Sequence, residues 1–266
     1  MHRYHGRMVH PSPTPSPTAT VHSALGQWVR EWWGLINVSA TLVVLALSPS
    51  SYQGAKRITL YWHVVRNTAP VLLGFSLLSA IVTVVLTHIV LTTATSYGLT
   101  QFALQVVIRV LVLEIIPLTA ALFVALRCTI PAATELAQMQ GLRQMQTEVL
   151  PRVVAGMVAG ITLAAQSCIV ALVMAYITAH GFNSAALPAY TRMFGQVMTP
   201  AVTLIFIFKT LLFCLAVSLI PMVSVLQEAR QIRTYHLSSS VEMRAMVRMF
   251  MVILTVEVTS LVGNYY

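Results

Sequence analysis

Residues 67–108 read NTAPVLLGFSLLSAIVTVVLTHIVLTTATSYGLTQFALQVVI, and no Asp, Glu, Lys or Arg occurs among them. A helix crosses a bilayer with about 20 consecutive apolar residues. The tract is long enough for two crossings, and Tyr97-Gly98 marks a short uncharged turn between them. Residues 153–191 form a second charge-free tract, again longer than one crossing requires. The apolar runs are continuous, whereas strands of a membrane barrel would alternate apolar and polar in segments of about ten residues. The expected fold class is therefore all-α and membrane-integral.

Composition agrees, with 57% apolar and 9% charged residues against roughly a quarter charged in soluble domains. Such a chain cannot cover itself with polar surface. The formal net charge is +9, but the basic residues gather before the first span and in two loops, as the positive-inside rule asks of cytoplasmic segments. The charge reads as topology and not as a nucleic-acid surface. Cys128, Cys168 and Cys214 lie in or beside apolar segments without CxxC spacing, which indicates buried thiols and neither a disulfide framework nor a metal site. Residues 1–10 are basic but no apolar run follows, so a cleavable signal peptide is not expected.

Outward from the opening tract, the chain divides into three regions. Residues 1–23, with a Pro-Ser-Pro-Thr run, are expected to form an unstructured, polyproline-like tail. Residues 24–68 form an elbow: Trp28, Trp32 and Trp33 precede an apolar stretch too short to span comfortably. Indole rings favour the headgroup level, so an interfacial helix is expected there, with a true span as the alternative. Lys56, Arg57 and Arg66 come next. Residues 69–266 form the transmembrane domain, with about five spans near 69–93, 102–126, 153–179, 200–226 and 246–262. The loops at 127–152 and 230–248 carry the arginines and belong with the basic N-terminus in the cytoplasm, which puts the C-terminus outside.

Ionisable residues at bilayer depth cost at least about 2.5–3.5 kcal/mol each and are functional candidates by default. Arg109, Glu114, Lys209 and Glu257 qualify. Arg109 and Glu114 stand about 140° apart on a helix and are poor intrahelical partners. Glu114, Lys209 and Glu257 either form interhelical ion pairs or act in gating or substrate handling; Arg109 can also snorkel to the outer face. His88 reads as a hydrogen-bonded packing residue before it reads as a ligand. Gly156 and Gly160 form a GxxxG, and Ser76, Ala80, Thr83 and Thr87 form a small-residue stripe, both marks of close helix approach. Pro117, Pro200 and Pro221 are candidate kinks. There is no HExxH, GxSxG or Gly-rich loop ending in Lys-Ser/Thr, so no catalytic residue is assigned and no ATP site is expected in this chain.

The second span and the segment after it carry a more specific pattern. Glu114-Ile115-Ile116-Pro117 leads to Arg127, then to Ala133-Thr134-Glu135-Leu136-Ala137-Gln138-Met139, and Pro151-Arg152 opens the next span. Phe208-Lys209-Thr210-Leu211-Leu212-Phe213 stands in the fourth span and Glu257 in the fifth. In order and spacing these motifs resemble the MlaE/YrbE permeases over about residues 60–266. The resemblance implies an MlaE-like permease fold: a homodimer in the bacterial inner membrane with an interfacial N-terminal helix and five spans. It further implies work with a cytoplasmic ABC ATPase dimer, which would hold ATP and Mg, and with an MCE-domain protein on the outer side, to carry phospholipid or other lipids. Leu77, Ile81, Val84, His88 and Leu91 would then line a lipid cavity. Arg127, Glu135, Met139, Arg143 and Arg152 would belong to the ATPase-coupling loop, with Glu135 and Arg127 fixing it. The chain departs from the family pattern in three places: it is shorter between Met139 and Pro151, it has no glycine in 231–236, and it lacks glycines late in the first span. Two other readings are a non-transporting scaffold for envelope proteins and an ion-coupled secondary transporter using Glu114 and Glu257. No internal repeat supports the last.

Overall fold

The charge-free tract folds, in the computed structural model of the chain, as the end of one long helix, a tight turn and the start of the next. The structure describes residues 17–47, 55–139, 142–231 and 239–265. Among these, no strand occurs. Helix α1 spans Pro17–Leu47 and α2 spans Ala55–Thr95. The next span is built in pieces: α3 (Thr100–Val110), a π-helical turn at Leu111–Ile115, α4 (Ile116–Val124), a second π turn at Ala125–Thr129, and α5 (Ile130–Ala137). Then come α6 (Leu142–His180), the short α7 (Leu187–Val197), α8 (Pro200–Gln231) and α9 (Ser239–Tyr265).

Five stretches are long and apolar enough to cross a membrane: Pro70–Thr95, Phe102–Ala137, Glu148–His180, Pro200–Gln227 and Met243–Gly263. They match the five expected spans. A shorter apolar helix, Trp32–Ala46, precedes them. It rests on α8, where Leu35 is buried and Gly34 leaves room for the Gln227 amide. The expected tail lies outside the described residues up to residue 16. From Pro17 the chain is already helical, since proline suits the first helical position, where no N–H partner is needed. The elbow boundary expected at residue 69 falls inside the unbroken α2.

The second span needs correction at its inner end. The segment after Leu126, expected as a loop, stays helical to Ala137, so Arg127 and Glu135 stand on helix. Pro131 sits in the first turn of α5, where proline is tolerated. At 36 residues this span is about 54 Å long, well beyond the roughly 30 Å hydrocarbon core. With the start of α6 it forms a helical hairpin, and this length would carry α5 past the core.

α2 packs chiefly on α6, α6 on α8, and α8 on α9, with α4 lying against both α6 and α8. The α6–α8 seam explains the GxxxG. A Cβ added at Gly156 would stand 2.7 Å from the Ser218 hydroxyl, and one at Gly160 would stand 2.5 Å from the Cys214 sulfur. Only a glycine lets the two helices approach so closely, which gives dispersion contacts that lipid tails do not match. Between α2 and α6, Gln166 donates to Ser76 Oγ at 2.5 Å. Thr83 and Thr87 are buried on the same side of α2.

Candidate functional site

Pro117 has no N–H to offer the carbonyl of Leu113, and its ring crowds that carbonyl in a regular α-turn. The chain answers with the wider π turn at Leu111–Ile115, which carries Glu114. Such π turns often mark functional positions in helices. Glu114 is buried, and its carboxylate accepts a hydrogen bond from Lys209 of α8. Lys209 is 2% exposed and also lies 2.9 Å from Glu257 of α9. Its ammonium stands 5.7 Å from the centre of the Phe213 ring, within cation–π range. One cation thus joins three spans through two carboxylates. Arg109 is half-buried on α3 and is itself engaged in a polar or charged contact.

A second cluster lies in the α5–α6 hairpin. Arg152, 6% exposed on α6, donates from Nη1 to the Ala132 carbonyl at 2.8 Å and to Glu135 at 3.2 Å. Its Nε is 3.8 Å from Glu148. Arg127, expected to fix this segment with Glu135, is exposed on the second π turn instead. Met139 is half-buried in the turn after α5. Arg143 belongs to α6, but its side chain lies outside the described residues.

The expected cavity residues follow one another at helical spacing along α2, outward at Leu77, Ile81 and His88 but with Leu91 packed against the core. Leu77 and Ile81 are 61% and 54% exposed. His88 is exposed, and Val84 and Leu91 are half-buried. The set is apolar apart from His88, so it offers area and few specific polar contacts.

Sequence reading missed a third cluster, at the end of the bundle that holds the Tyr97-Gly98 turn. There the rings of Tyr176, His180 and Tyr190 lie within 5.1–6.3 Å of one another. Tyr190 donates to the Leu172 carbonyl at 2.9 Å and Tyr176 to that of Asn183, which pins α7 onto α6. Burial, with a smaller contribution from Cys168, pushes the Tyr190 phenol up to about 12. The signal for this cluster was three aromatic residues across one short connection. Among the described residues, no group of three or more His, Cys, Asp or Glu is placed to hold a metal.

The sequence model of the family described as Permease MlaE matches residues 60–262. A search of curated proteins returns no match. The matched region takes in all five spans, the buried Lys209 cluster and the Arg152 hairpin. The chain therefore belongs to the MlaE permease family.

Proposed function

We propose that two copies of this chain form the membrane part of a transporter that moves phospholipid or another lipid between the inner membrane and the cell envelope. Family membership implies the coarser part of this, a permease subunit of a lipid ABC transporter and not a catalytic enzyme. The observation that carries the rest is the outward apolar surface of α2 at Leu77 and Ile81, continued along the helix by the half-buried Val84. Apposed across a dimer axis, two such surfaces make a cavity that receives acyl chains by area burial, worth about 25 cal/mol per Å². The lysine cluster holds the second, fourth and fifth spans together while the cavity opens and closes.

In this reading a separate ATPase dimer binds the exposed side of the α5–α6 hairpin in the cytoplasm, and an MCE-domain protein receives lipid on the other side. The test is purification of the complex through a tag on this chain, followed by reconstitution with fluorescent phospholipid. An ATPase should co-purify in fixed ratio, and ATP should drive lipid movement. Recovery of envelope proteins with neither ATPase nor ATP-driven movement would leave a scaffold and defeat the permease reading. In the active complex, single cysteines replacing Leu77 or Ile81 should cross-link between copies.

A further inference from the structure

We infer that Arg152 is the positioning residue that makes the α5–α6 hairpin move as one body with the membrane spans. The inference rests on the transport reading above and deepens it. Apolar packing seats α5, with Ala133 and Leu136 buried and the helix lying on α8, but such packing sets no direction towards α6. α5 is eight residues long and ends in a turn where Gln138 and Met139 return their N–H groups to the carbonyls of Thr134, Glu135 and Leu136. Those bonds close the helix end but tie it to nothing outside itself. Arg152 supplies the tie.

Its guanidinium reaches across 20 residues of sequence to the Ala132 backbone, while the same Nη1 holds Glu135. The Arg152 side chain is 7% exposed, whereas Glu135 is 55% exposed. The arginine is therefore the buried anchor, and Glu135 presents its outer edge where a partner can touch it. Hydrogen bonds to a charged donor are about twice as strong as neutral ones, and both bonds here run from the one Nη1, whose two N–H bonds lie in the guanidinium plane and so fix direction as well as distance. A lysine in this place would keep the charge but not the planar N–H pair. Just below, Val149 and Val153 are buried and Gly156 lies against Ser218 of α8. A push on α5 thus reaches the α6–α8 seam by its packing on α8 and, with fixed direction, through Arg152.

The test compares Arg152→Lys and Arg152→Met with the unaltered chain, in the tagged complex with fluorescent phospholipid. Arg152→Lys retains the buried cation and guards against simple misfolding. Lipid moved per ATP hydrolysed should fall about tenfold in Arg152→Met and by less in Arg152→Lys. Hydrogen exchange at residues 132–139 should speed up, while exchange across 156–175 should not change. A purely structural residue would lower hydrolysis and transport together and leave their ratio constant, and that outcome overturns the inference. Unchanged exchange at 132–139 overturns it as well. A wild-type complex that moves no lipid is a different failure, that of the transport reading itself.

Discussion

Lys209 faces carboxylates from two other spans, so removing it leaves Glu114 and Glu257 close together without their shared cation. Breaking a buried pair from one side costs about 3–5 kcal/mol. Lys209→Met should lower the unfolding midpoint in detergent accordingly. Glu257→Gln, which keeps the Glu114–Lys209 pair, should cost much less. Equal midpoints for Lys209→Met and the native chain would refute the account. Tyr190 gives a pH-dependent counterpart. Its folded pKa, raised to about 12, exceeds the free value of about 10, so its contribution is complete below about 10 and is lost as pH rises through the folded value. The native chain should lose stability over that alkaline window relative to Tyr190→Phe, as followed by thermal melts at stepped pH. The charged residues themselves were legible, because a lysine or glutamate inside an apolar tract is conspicuous. Their meeting was not: Glu114 and Lys209 are 95 positions apart, and helical periodicity says nothing across that distance. Nor could spacing rank Arg127 against Arg152, since only packing shows which one is buried.

At the level of elements, two π turns in one span stand out, each followed two residues later by proline, at Pro117 and Pro131. Pro117→Ala restores the missing N–H and allows the turn to relax to regular α geometry. One residue of register corresponds to about 100° of rotation, which swings Glu114 away from α8. Lys209 should then become reactive to a small amine reagent by mass spectrometry, while it stays unmodified in the native chain. The α6–α8 seam makes a second prediction. Gly160→Ala places a methyl against the buried Cys214 sulfur and should destabilise by about 1–3 kcal/mol. Spans and glycine seam were both readable, since length, hydropathy and GxxxG are local patterns. The end of the second span was not, because a single arginine can sit at headgroup level while the helix runs on through Pro131. Pro117 announced a kink; whether the chain answers with a bend or a wider turn depends on neighbours that α6 and α8 supply.

For the molecule as a whole, the turn at Gln138–Met139 and the connection at 181–186 lie at opposite ends of the bundle, and in the orientation expected from loop charge the first is cytoplasmic. Phe182 is 93% exposed, and Gln138 is exposed too. In a chain with the three native cysteines replaced, an impermeant maleimide on spheroplasts should label Phe182→Cys at once, and Gln138→Cys only after the membrane is opened. The reverse pattern would invert the topology. The wide spacing of the lysine cluster also bears on how the protein is made. Glu114 leaves the ribosome 95 residues ahead of Lys209, a wait of roughly 5–20 s at ordinary elongation rates. Throughout that interval the second span carries Glu114 while Lys209 has not yet been made. A product truncated between the two positions therefore lacks the Lys209 hydrogen bond to Glu114 together with the fifth span, and it should be degraded faster than the full chain in a pulse-chase measurement.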